Sequence, residues 1–304
     1  MEFQKSAQEL IRKRKSSRTY ETVVIDTDTW AKLEDYVKLS NAQSSDKARF
    51  VLVDIEEMAE GPGKKLGTYG MIAGARSFIV GVVSKENKDE LAFGYLFEKI
   101  ILFATDLGLQ TCWLGGSFNR KDFGESVDLR DDELLAIVSP VGIAKEKLRL
   151  PESLMRKAIG ADHRKPWGEL FFDGDESTPL TEKRAGAYAV PLEMVRLGPS
   201  ASNKQPWRVV YEGPDDAGHN DRNGAGHNDA PRDGVFHFYL CATKGYGATG
   251  FDMQLNDIGI AKCHFELAAE ELGLHGAWVD ATGKLSPDEW RYITTWVPAD
   301  AAAE

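Results

Sequence analysis

The sequence predicts an α+β protein in which two diverged copies of one antiparallel-sheet-and-helix unit are fused in a single chain. Three observations carry this. DLGLQTCW (106–113) and ELGLHGAW (271–278) match, each closing a long helical stretch. SFIVGV (77–82) and FHFYLC (236–241) are comparable apolar strands, each placed before its long helix. YAVPLEMVRL (188–197) also lies on WAKLEDYVKL (30–39), which sets WRVVYE (207–212) on RFVLVD (49–54). The boundary between the copies falls near 173/174, giving halves 1–173 and 174–304.

The elements follow in order. In WAKLEDYVKL, Trp30, Leu33, Val37 and Leu39 stand near helical spacing. FVLVDI (50–55) and RSFIVGVV (76–83) are apolar runs bounded by glycine and charge, the mark of buried strands. A helix from Asp89 to Leu109 is apolar on most faces, and Gly108 supplies its stop. ELLAIVSPVGI (133–143) is a further strand. In the second half, NDIGIAKCHFELAAEELGL (256–274) repeats the long helix. The wide apolar arcs around Phe97 to Phe103 and Ile260 to Leu267 predict a shared core between the halves. His264 is then a satisfied core histidine, and Cys112 and Cys263 are small buried hydrophobes. EGPDDAGHNDRNGAGHNDAPRDG (212–234), with GHND twice, is predicted to be a disordered insertion rather than a metal-binding tract.

Composition narrows the function. The chain has 304 residues, 42% hydrophobic and 28% charged, which suits a globular protein. Its net charge of −11 argues against a general nucleic-acid binder, which needs a basic face. Three cysteines without paired spacing give neither a disulfide frame nor a metal site, and they suit a reducing compartment. The N-terminal stretch has no apolar signal region, and no run of about 18 apolar residues occurs. The expectation is a cytoplasmic protein with no membrane and no nucleic-acid partner.

The copies disagree where chemistry would reside. GPSASNKQPWRVV (198–210) is a rigid, proline-framed turn that carries Asn203, Gln205 and Trp207 into a strand. Against PSASNKQPW the first copy offers NAQSSDKAR (41–49), without the prolines and without Asn, Gln and Trp at those places. Against RKSSR (14–18) the second copy offers FDGDE (172–176), whose Asp173, Asp175 and Glu176 would repel an anion that RKSSR attracts. In isolation RKSSR reads better as a solvated helix end, and Arg164 with Lys165 reads equally well as a surface charge pair. Packed as a two-fold pair, the halves would build one complete site and one dead one.

Together RKSSRTY, GLQTCWLGG, HRKPWGELFF (163–172) and PSASNKQPW resemble the nitroreductase superfamily. The likeness is to the branch whose duplicated chain folds as an internal pseudo-dimer, and it covers roughly residues 10–172 and 180–280. The resemblance implies a nitroreductase-like fold and an FMN site shared between the halves, with one flavin per chain. It implies that Arg14, Lys15, Ser16 and Arg18 hold the FMN phosphate and that Arg164 and Lys165 close on it. Leu114, Gly115 and Gly116 would lie against the isoalloxazine ring. Pro199, Ser200, Ala201 and Asn203 would cover the cofactor, with the Asn203 amide offering a donor and an acceptor to the ring. Gln205 and Trp207 would lock that loop onto the core.

NAD(P)H would be a transient electron donor in a ping-pong, two-electron reduction of a small acceptor such as a nitroaromatic or quinone. No acid, base, nucleophile or metal ligand is identified. Because the internal pair supplies a dimer-like interface, a monomer is expected. A flavin-binding protein without turnover, serving as carrier, sensor or scaffold, is the alternative.

Overall fold

The computed structural model describes residues 2–55, 67–146, 152–153, 156–157, 160–161, 163–213, 234–246, 250–280 and 289–299. Most of the insertion, residues 214–233, lies outside the described residues.

Two sheets form, the first from the first half and the second from the second half plus one strand at the end of the first. The first has the order β1-β2-β4-β3, from Ala48–Asp54, Ser77–Ser84, Glu133–Gly142 and Gln110–Thr111, and every pair is antiparallel. The second has the order β5-β6-β7-β9-β8, from Phe171–Asp173, Trp207–Glu212, Val235–Cys241, Trp290–Pro298 and Gly276–Val279. Its pairs are antiparallel apart from β5 with β6, which is parallel. The repeat holds in detail. Register shifts fall between Gly81 and Val82 in β2 and between Phe238 and Tyr239 in β7, the matching place in each sheet.

Helices α1 (Ala7–Lys13), α2 (Thr27–Gln43), α3 (Glu90–Asp106), α4 (Arg120–Ser126), α5 (Ala189–Leu197) and α6 (Met253–Glu271) complete the architecture. The predicted strands and helices of the first half all form, within a few residues of their expected ends. Asp89 and Asp252 cap α3 and α6, each accepting a hydrogen bond from a first-turn amide.

The two capped helices cross at the centre of the molecule. A Cβ on Gly94 would stand 2.1 Å from the Asn256 carbonyl oxygen, and one on Gly259 would stand 2.2 Å from that of Leu91. In the register that sets Trp113 on Trp278, Gly94 aligns with Gly259 and Leu91 with Asn256. The contact is therefore reciprocal, as in an isologous interface. Around this crossing one apolar cluster joins α2, α3 and the first sheet, and another joins α5, α6 and the second sheet. Trp207, Phe236, Phe265 and Trp296 are fully enclosed in the second.

One expectation fails. FDGDE does not occupy the place of RKSSR. Ser16 bridges Thr111 on the β3 edge of the first sheet, whereas Phe172 pairs with Val210 on the β6 edge of the second. Since β3 corresponds to β8 and β6 to β1, the two segments lie on opposite edges. The acidic residues do not mark a dead anion site. Asp173 lies 3.3 Å from Arg184, and Asp175 caps its own turn through the Ser177 and Thr178 amides.

The helix crossing yields the first prediction. Gly259→Ala places a methyl against backbone atoms of α3 that cannot step aside, so it should lower unfolding free energy by about 3 kcal/mol in denaturant titration. Gly116→Ala, where an added Cβ meets nothing within 4 Å, should change it by less than about 0.5 kcal/mol. Equal effects would mean the crossing does not constrain the fold.

Candidate functional site

A cavity of about 800 Å³ lies between the halves, and both contribute to its wall. After α1 the chain runs extended beside β3, held by the Ser17 amide on the Thr111 carbonyl at 2.9 Å. This lays Arg14, Ser16 and Arg18 along the cavity. Every residue expected at the site lines it except Lys165.

Arg14 and Arg18 are buried, at 9% and 8% exposure. The Nε and Nη1 atoms of both have no hydrogen-bond partner. Arg14 lies 3.7 Å from Glu98 as an ion pair, while the Arg18 backbone amide donates to Glu152 at 3.0 Å. Two buried guanidinium groups with unanswered N–H groups are costly unless an anion completes them. The residues present therefore fit an anionic group at this end.

Leu114 to Gly116 form the wall beyond. Leu114 and Val138 exchange backbone hydrogen bonds at 2.9 and 3.0 Å, fixing the segment to β4. A Cβ on Gly115 would stand 2.2 Å from the Met253 methyl, so the end of that side chain fills the space a larger residue there would take.

The opposite wall is the loop 199–206, and it is strained. Ser202, Asn203 and Gln205 hold φ of 47°, 55° and 49°, values that side chains other than glycine rarely adopt. A dense set of hydrogen bonds imposes this shape. The Ser200 hydroxyl accepts the Gln205 amide at 2.8 Å, and the Gln205 side-chain oxygen accepts the Lys165 amide at 2.8 Å. Asn203 donates to the Gly160 and His163 carbonyls at 2.7 and 2.8 Å and accepts from Arg164 at 3.2 Å and Gln205 at 3.3 Å.

These contacts correct three assignments. The Asn203 amide is taken up on all sides, so it shapes the loop and has no donor or acceptor left for a ligand ring. Arg164 lines the cavity, yet its guanidinium is bound to the Leu197, Ala161 and His163 carbonyls besides Asn203. It braces the loop. Lys165 stands away from the cavity beside Arg208, where burial and then that positive charge depress its pKa. Gln205 and Trp207 lie outside the wall as expected of locking residues.

The floor is a face of α6 made by Met253, Asn256, Asp257 and Ile260. The sequence reading took this helix for core alone, although the spacing of these residues places them on one side. The Asp257 carboxyl is 1% exposed and takes the Ala201 amide on both oxygens, at 3.1 and 3.0 Å. Burial raises its pKa well above the ordinary carboxylate range, and the Ala201 hydrogen bond offsets only part of this. Tyr246, which also lines the cavity, donates a 2.8 Å hydrogen bond to the Ser202 hydroxyl. Among the described residues no cluster of side chains suits a metal ion, and no helix is long and apolar enough to cross a membrane.

A basic segment from one half meets a strained PSASN loop from the other, on a sheet-and-helix frame. Residues 7–269 match the family model described as "Putative TM nitroreductase". The chain belongs to this nitroreductase family. A crystal structure of a putative nitroreductase from Thermotoga maritima shares the fold, with a TM-score of 0.55 at 16% identity, over 97% of this chain and 95% of that one. Two shorter chains align less well. A nitroreductase family protein from Clostridium difficile gives 0.40 at 21% identity, over 56% of this chain and 96% of its own. A nitroreductase with bound FMN from Desulfitobacterium hafniense gives 0.37 at 16%, over 47% and 92%. No curated protein matches the sequence.

In this nitroreductase-family chain the buried Asp257 makes a testable sign. A carboxyl whose folded pKa is raised favours the folded state at low pH, and that advantage is lost as pH rises from the ordinary value of 3.8 toward the raised one. Asp257→Asn keeps an acceptor for Ala201 and does not titrate. Its melting temperature should gain on the wild type as pH rises from about 4 toward neutrality. A constant difference across that range would show that Asp257 does not carry the raised pKa.

Proposed function

We propose that the chain is a flavin-dependent oxidoreductase that binds one FMN in the cavity between its halves. The observation that carries this reading is the pair of buried arginines, Arg14 and Arg18, with unanswered N–H groups in a cavity completed by both halves. Family membership supports it. When bound, FMN would supply two-electron transfer at its ring system. The protein's part is binding, stacking room and exclusion of water.

Arg14 and Arg18 would hold the phosphate through charge-assisted hydrogen bonds, with Lys15 adding positive charge at the rim. Leu114, Gly115 and Gly116 would bear on the ring. Pro199, Ser200 and Ala201 would close the other side, held in place by Asn203, Arg164 and Gln205. A nicotinamide donor, NADH or NADPH, and then an electron-poor small molecule would use the same open face in turn. Nothing in the wall is needed as a nucleophile. We read the reciprocal α3–α6 crossing as the interface of an internal pseudo-dimer, which makes the chain a monomer, and its composition fits the cytoplasm.

Purified protein mixed with excess FMN and desalted should retain about one flavin per chain. Arg18→Glu, which reverses the charge at the phosphate end, should weaken binding about a hundredfold or more. Two flavins per chain, or none, would overturn the shared single site. The loaded protein should consume NADH or NADPH with at least one acceptor from a panel of nitroaromatics and quinones. Flavin that is bound but never reduced by either donor would leave a carrier or sensor role.

A further inference from the structure

Behind the cavity wall, between the two halves, lies a carboxylate that no step above uses. Glu98 in α3 is fully enclosed. One of its oxygens accepts the Trp113 indole N–H at 2.9 Å. The other lies 2.9 Å from His264 Nε2 on α6 and 3.7 Å from Arg14 Nε. The second histidine nitrogen, Nδ1, is 2.9 Å from the Met194 carbonyl in α5. A carbonyl can only accept, so Nδ1 carries a proton. A further proton must then lie in the His264–Glu98 contact, on one partner or the other. With Arg14 the cluster holds one net positive charge.

Burying a carboxylate this deeply is costly, and the internal repeat shows that the fold does not require it. Trp278 occupies the place of Trp113 in the second half. Its indole N–H is answered by Glu266, a half-buried side chain, at 2.6 Å. The place of Glu98 itself is taken by Cys263. So the same tryptophan is satisfied on the other side without an enclosed acid. What the first half has in addition is Arg14, one of the two buried arginines of the cavity.

We propose that Glu98 is a positioning residue for ligand binding. It sets the Arg14 guanidinium toward the phosphate and, through Trp113, anchors the start of the 114–116 wall. His264 extends the restraint to α5, which leads directly into the loop 199–206. The proposal rests on the flavin reading above, and it names a residue that never touches the ligand.

Glu98→Gln tests placement rather than charge, because the carboxylate and the shared proton disappear together and the cluster keeps its single positive charge. The amide oxygen can accept from Trp113 while the amide N–H donates to His264, so the face toward Arg14 turns from anionic to a donor and Arg14 loses its ion-pair partner. Affinities for FMN and for riboflavin, which lacks the phosphate, are read by flavin fluorescence. The preference for FMN should fall about tenfold while riboflavin affinity stays nearly unchanged. Glu266→Gln should leave both affinities alone. In an Arg14→Ala background, Glu98→Gln should remove no further preference.

Equal loss of both ligands, an unchanged preference, or full additivity with Arg14→Ala would overturn the assignment. A wild-type chain that binds neither flavin overturns the cofactor reading and this assignment with it. A wild-type chain that prefers FMN, with a variant that does so equally, overturns the assignment alone. Should Glu98→Gln fail to fold, Glu98→Asp, which withdraws the carboxyl by one methylene, must show the same phosphate-selective loss, and an unselective loss counts against the proposal.

Discussion

The close crossing of α3 and α6 is the constraint on which the rest of the structure depends. Two glycines let two helix backbones touch, and each meets the carbonyl of the partner's matching residue. Side chains of ordinary size would hold the helices 8–10 Å apart and allow several packings. Contact at the backbone allows few. With the crossing fixed, the edge of the first sheet that carries Arg14 and Arg18 must face the loop that leaves α5. The cavity follows from helix geometry before any ligand is considered.

Polar groups placed near that crossing keep it specific. Glu98 and His264 are fully enclosed, and together with the half-buried Trp113 they answer one another. Asp257 ties the floor to the loop through Ala201. Each of these would be costly if left unpaired, so a slipped arrangement of the halves loses several bonds at once. The loop opposite is strained at three residues, and its amide network comes from both its own side chains and the 160–165 segment. The strain is held by the surroundings and not by local preference.

Much of this was legible in the sequence. Helical spacing, apolar runs and a long apolar helix with a glycine stop gave α2, β1, β2, α3 and β4, because deep burial leaves a clear pattern, whereas the short α1, β3 and α4 left none and were not read. The repeat, read at DLGLQTCW and ELGLHGAW, gave the second. RKSSR and PSASNKQPW were found because charge and proline are rare enough to stand out. The failures have physical reasons. FDGDE was matched to RKSSR by counting residues, but the connections before each differ, so equal spacing does not mean equal position in the sheet. Asn203 was read as a ligand because an amide is chemically suited to one, and only the fold shows that Arg164, Gln205 and two carbonyls already surround it. The α6 face of Met253, Asn256, Asp257 and Ile260 was hidden because most of this helix is buried, and burial alone does not reveal which side borders a cavity.

Strand β5 has a meaning of its own. It is made from the last residues of the first half, yet it lies parallel to β6 at the edge of the second sheet. The fused halves are therefore not beads joined by a tether; the junction is woven into the later half as a structural member. A chain cut at the boundary that the repeat suggests would leave one fragment with a dangling strand and the other with a bare sheet edge. Each repeat can drift away from self-sufficiency under such an arrangement, since neither is ever called upon to stand alone.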